Sequence, residues 1–161
     1  EEKKIVMKRV IEHANRIREI TGNDLDQIAD SLGLNVVPQK MEGRLREFYF
    51  SGSVVINENL SNREKRELIA HAVGHHLLHA GNHLAMQKRI YSFGNYHEKQ
   101  ANVFAACLLM PLEDLASFIE NRSRIDEIAN HFQVREELVR LRIKIWTNFE
   151  KDLTGKIAKV S

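Results

Sequence analysis

The chain has 161 residues, 43% hydrophobic and 29% charged, which excludes a disordered chain and is long enough to bury roughly 70% of its extended surface without disulfide staples. Lys and Arg number 24 against 22 Asp and Glu, a net charge of +2, so there is no electrostatic footprint for strong nucleic-acid binding. The single cysteine, Cys107, excludes an intrachain disulfide and a cysteine-cluster metal site, and suits a reducing, cytoplasmic compartment.

Glu1-Glu2-Lys3-Lys4 is charged throughout, so no signal peptide is expected, and an opening residue other than Met suits a trimmed fragment. No apolar run approaches a membrane span, so no membrane partner is expected. Lys3 to Thr21 reads as a helix with Val6, Val10, Ala14 and Ile17 on one stripe and Gly22 just past its end. Asp24 with Gln27 caps a short second helix that stops at Gly33. Leu34 to Val37 reads as extended, and Leu45 to Phe50 and Ser53 to Asn57 as two strands around Ser51-Gly52. From Ser61, whose capping partner is Glu64, a helix is expected to run to Ala80. Gly81 to Tyr96 lacks periodicity and reads as a long loop. His97 to Met110 is an apolar helix ended by Pro111, and Leu112 to Asn121, Ile125 to His131 and Val134 to Glu150 complete a helical C-terminal half. Helix, helix, small sheet, helices is an α+β order.

Five of the eight histidines fall between positions 71 and 83. Residues four apart on a helix differ by about 40° of rotation and about 6 Å of rise, so His71 and His75 share a face and can reach one metal ion. His79 lies about 12 Å along the axis from His71 and is excluded as a third ligand to the same ion. Glu98 opens the apolar helix, and a carboxylate beside such a helix has reason to face inward if it meets a divalent metal. The alternatives are a helix that is merely His-rich and a solvated first-turn acid favoured by the helix dipole. Two histidine nitrogens and one carboxylate make a catalytic zinc set. Asn102, four residues on, is placed to orient Glu98, whereas Cys107 should be core.

His71-Ala72-Val73-Gly74-His75-His76-Leu77-Leu78-His79 resembles the H-E-x-G-H-H-L-L-H segment of the ImmA/IrrE family of bacterial metallopeptidases. The run from Glu98 through Ala101-Asn102, Phe104-Ala105-Ala106 and Leu108-Leu109-Met110-Pro111 resembles that family's second signature, whose leading Glu is the third zinc ligand. Ile28-Ala29, Leu34, Val36 and Val54-Val55-Ile56-Asn57 fit the lead-in, and Ile128-Ala129, Phe132, Val134 and Leu141-Arg142 fit the closing helices. The resemblance implies a mostly helical zincin-like domain with a small three-stranded sheet at 1–121, and a helical extension at 122–161, resembling a helix-turn-helix, packed on it. It implies zinc at His71, His75 and Glu98, with manganese as the alternative activating metal. It also implies a cytosolic endopeptidase that cleaves helix-turn-helix repressors of phage, mobile-element or stress-response genes. An extended substrate would lie along the sheet edge by strand addition.

One residue departs from the pattern. The family carries Glu after its first histidine, where it acts as general base; here the position is Ala72. Loss of such help costs about 10²–10⁴ in rate, so the chain is expected to bind metal and hardly cut. A substituted parent enzyme and a natural pseudo-peptidase that holds a repressor without cleavage both fit. Tyr91, Tyr96 and His97 are candidates for stabilising an oxyanion, with loop packing the plainer reading of each. A rival assignment is a DNA-binding regulator, with Asp126 to Ile145 as helix-turn-helix and Arg135, Arg140, Arg142 and Lys144 facing phosphates. Glu136 and Glu137 interrupt that face, and direct nucleic-acid binding is not expected.

Overall fold

The computed structural model describes residues 1–50, 52–78 and 95–157. Helix α1 spans Glu2–Thr21 and α2 spans Leu25–Ser31. The Asp24 carboxylate accepts the Asp26 and Gln27 backbone N–H groups, which satisfies the first turn of α2. Gly33, at φ 68°, turns the chain out of that helix into the sheet.

The strands β1 (Asn35–Gln39), β2 (Glu47–Phe50) and β3 (Ser53–Asn57) form one sheet in the order β1-β3-β2. β3 pairs parallel with β1, Val36 opposite Val54, and antiparallel with β2, Phe48 opposite Val55. As the central strand, β3 is buried on both faces, so Val54, Val55 and Ile56 read as a continuous apolar run rather than an alternating one. Pro38 is tolerated in β1 because that strand is an edge. Asn57 closes β3, donating to the Met41 and Leu45 carbonyls at 3.3 and 3.0 Å.

Helix α3 follows at Asn62–Leu78. Its capping box is formed, with Glu64 N–H donating to Ser61 Oγ at 3.2 Å and Ser61 N–H to Glu64 Oε2 at 3.0 Å. Helix α4 spans Asn95–Leu109, so the apolar helix starts two residues before the expected His97. The rest of the expected loop, 81–94, lies outside the described residues, as do His79 and Tyr91. α4 is the central helix, and α1 and α3 both pack on it. Its Ala101, Ala105 and Ala106 allow close approach, while Phe104 and Leu108 fill the space between.

The remaining helices are α5 (Leu112–Glu120), α6 (Ile125–Phe132), α7 (Glu136–Ile145), a π-helical turn at Trp146–Glu150 and α8 (Lys151–Ile157). The last helix was expected to end at Glu150; instead it widens and continues. An undisturbed α-helix sets a residue eight positions on about 80° away, and the extra residue taken up by a π turn removes most of that offset. Glu150 is thereby brought to Arg142, with which it forms a buried ion pair. Arg142 Nε also donates to the Met110 carbonyl at 2.8 Å, tying α7 to the end of α4. One core runs through the whole arrangement, from Val10 and Ile28 through Val73 and Phe104 to Ile128, Val139 and Ile145.

Candidate metal centre

The site is made where the C-terminal half of α3 crosses the first turn of α4. His71 and His75 are one turn apart on α3, with ring centroids 4.5 Å apart and planes at 80°. Glu98 in the first turn of α4 faces both: its Oε2 is 3.0 Å from His71 Nε2 and its Oε1 is 3.0 Å from His75 Nε2. The two Nε2 atoms are 2.9 Å apart. His75 is fully enclosed at 1% exposure, and His71 and Glu98 are half-buried.

Hydrogen bonds from His71 first and His75 second hold the Glu98 carboxyl well below the usual carboxylate range, against an opposing effect of burial. The donor set suits a divalent cation. All three ligand atoms lie within 4.8 Å of one another, and ligands on one tetrahedral zinc ion stand about 3.3 Å apart. Two imidazoles and one carboxylate can hold such an ion and leave an open position for water or a substrate oxygen.

The crossing is close because α3 carries a glycine at the contact. A Cβ on Gly74 would lie 2.9 Å from Phe104 Cδ1 and 3.2 Å from Phe104 Cβ. Gly74 thus lets α4 approach near enough for the Glu98 carboxylate to reach both imidazoles. A glycine inside a helical pattern is the signal that marks such a contact, yet its partner cannot be read from the chain.

Ala72 follows His71 and is 1% exposed, packed into the core. Asn102 is exposed, and nothing among the described residues joins it to Glu98. Tyr96 and His97 sit half-buried in the first turn of α4, their ring centroids 6.3 Å apart. Cys107 is core as expected, and burial pushes its thiol up to about 11.

The DNA-binding alternative turns four basic residues toward phosphates, and two of them are held by buried carboxylates instead. Arg142 is buried with Glu150, and Arg135 is taken by Glu67 of α3, its Nη2 2.6 Å from Glu67 Oε2. A local reading sees an arginine every few residues on a helix and expects solvent, because the compensating carboxylate is distant or displaced by the π turn. Arg140 pairs with Glu136 on the surface.

Known proteins resemble this chain in sequence and in fold. Residues 29–144 match the peptidase family described as the IrrE N-terminal-like domain. The "Uncharacterized immunity region protein 2" of Bacillus phage phi105 is 29% identical over 122 residues, covering 72% of this chain and 77% of that protein. A solved Mycobacterium tuberculosis transcriptional regulator superposes with a TM-score of 0.62 over 82% of this chain, at 18% identity. That likeness is one of fold, and the chain spans 45% of the regulator's length. With the family match covering most of the chain and a His-His-Glu cluster at its centre, the chain belongs to the IrrE N-terminal-like peptidase family.

Proposed function

We propose that this chain is a zinc-binding ImmA/IrrE-type protein that engages a helix-turn-helix repressor, and that Ala72 leaves it unable to cut that repressor at a useful rate. The observation that carries this reading is the meeting of His71, His75 and Glu98 across the α3–α4 crossing. The kinship with a phage immunity region protein supports control of phage or mobile-element genes. A cytoplasmic setting belongs to the same reading. It is supported by the lone buried thiol of Cys107, and among the described residues no single helix is long and apolar enough to cross a membrane.

A divalent ion bound at this centre supplies an acidified water and a polarised carbonyl. The chain's own part is to hold it. His71 and His75 present Nε2 atoms, and Glu98 supplies the negative charge. Ala72 supplies a methyl group and no proton acceptor. Without a base at that position the departing amine receives no proton from α3, a loss of about 10²–10⁴ in rate, or roughly 3–5 kcal/mol of barrier.

A second reading, a pseudo-peptidase that binds without cleavage, draws on the enclosure of Ala72, since a carboxylate there has to displace its neighbours. The two are separated by Ala72→Glu. The parent and the variant are incubated with the helix-turn-helix protein encoded beside the gene, in zinc or manganese, and followed by gel and mass spectrometry. Cleavage by the variant alone, abolished by chelator, supports the disabled peptidase. A variant that binds metal and repressor yet leaves the repressor whole establishes the pseudo-peptidase.

A further inference from the structure

Arg63, Glu67, His71 and His75 follow one another at four-residue intervals along α3. Each interval turns about 40° and rises about 6 Å, so the four side chains form one slowly winding ridge. The C-terminal half of the ridge meets Glu98. The N-terminal half is gripped by the segment that joins α6 to α7.

The grip is directional. Glu67 is buried, and its carboxylate accepts hydrogen bonds from Arg135: the backbone N–H reaches Oε1 at 2.7 Å, and Nε and Nη2 reach Oε2 at 2.7 and 2.6 Å. One turn earlier, Arg63 donates through Nη1 to the Val134 carbonyl at 3.1 Å and through Nη2 to Asn130 Oδ1 at 2.7 Å. Apolar packing against α4, Gly74 on Phe104 above all, sets how near the helices lie, and hydrogen bonds from the α6–α7 segment add a directional restraint on rolling. A guanidinium fork and an N–H on one carboxylate resist it strongly. A roll of about 10° carries a group about 6 Å from the helix axis through about 1 Å, whereas metal bonds tolerate about 0.2 Å. Glu67 is buried while the Arg135 side chain is 39% exposed, and ion pairs of either kind add little net stability, so the value of this one lies in geometry.

We propose that Glu67 and Arg135 are positioning residues for the metal centre, fixing the roll of α3 so that His71 and His75 present their Nε2 atoms to Glu98. This rests on the metal-binding reading of the site given above. It makes the α6–α7 segment part of the site's machinery although none of its residues is a ligand.

Cobalt(II) is the probe, because its visible spectrum reports coordination geometry while uptake reports affinity. Glu67→Gln keeps the shape of the side chain and removes its charge; Arg135→Lys keeps a cation and the backbone N–H but loses the fork. The expected result is about tenfold weaker cobalt uptake in Glu67→Gln and Arg135→Ala, with an altered visible spectrum, parental far-ultraviolet circular dichroism and only partial recovery in Arg135→Lys. Folded variants with the parental cobalt affinity and spectrum overturn the proposal. If Glu67→Gln does not fold, Arg135→Lys and Arg63→Ala decide it, and parental cobalt spectra in both overturn it. His75→Ala serves as the metal-free reference. A parent chain that takes up no cobalt overturns the metal reading and this inference together; equal uptake by parent and variants overturns the inference alone.

Discussion

Gly74 and Phe104 touch so closely that no side chain fits between them: a Cβ on Gly74 would stand 2.9 Å from Phe104 Cδ1. The contact lies one residue from His75 and sets the separation of the two helices that carry the candidate ligands.

Gly74→Ala therefore sets two effects against each other. Alanine stabilises a helix interior by about 1 kcal/mol over glycine, but here the methyl would stand 2.9 Å from a fully buried ring that would have to shift. Overpacking of this kind costs about 1–3 kcal/mol, so the net outcome is a loss in urea denaturation, accompanied by weaker metal uptake. Phe104→Leu in the same chain should restore part of both.

Metal content is the direct check on the ligands. Purified protein should carry about one equivalent of divalent metal, and His75→Ala should lose most of it. Uptake should weaken as pH falls, because metal ligands have to be deprotonated to bind. Glu98 does not drive that loss. Its carboxyl is held below the ordinary range, so its stabilising contribution is present above that range and is lost as pH falls through the lowered value. Unchanged metal content in His75→Ala would remove that residue from the site.

Cys107 should behave as a sealed thiol. It is fully buried and its pKa is raised to about 11, so a thiol reagent should modify the native protein only as fast as it opens, and the unfolded chain at once. The raised value makes the thiol favour the folded state below its ordinary range. That advantage is lost as pH climbs through the folded value, and denaturation midpoints should fall in strong alkali.

Glu150→Ala should be among the most damaging single changes. It leaves the Arg142 guanidinium buried without its carboxylate, a loss of about 3–5 kcal/mol. Replacing both partners, Arg142→Met with Glu150→Leu, should recover much of it, as read by urea midpoints.

Features written in short-range spacing were legible in the chain: the Asp24 cap, the Ser61–Glu64 box and the shared face of His71 and His75. β3 was found through its bounding turn and its β-branched residues. Glu67 was not, because its partner Arg135 lies 68 positions away and nothing local distinguishes a buried glutamate from a solvated one. Arg142 faces phosphates only in the DNA-binding alternative, and its burial is hidden for a related reason: its carboxylate partner stands eight positions on, a spacing that faces it only across a π turn. Helical phase alone places Asn102 beside Glu98, and phase does not say which of two neighbouring faces a partner covers; Asn102 is exposed.

Kinship and foldability have different borders in this protein. The stretch by which its relatives are recognised, 29–144, contains every candidate ligand, yet it omits α1, which lends Val10, Ile11 and Ala14 to the common core. It also omits Glu150, the counter-charge of Arg142. A graft or shortened version cut at those borders would carry the whole centre on a body with an exposed greasy flank and a bare interior cation. The portable unit has to include α1 and reach past Glu150, even for an experiment concerned only with the metal.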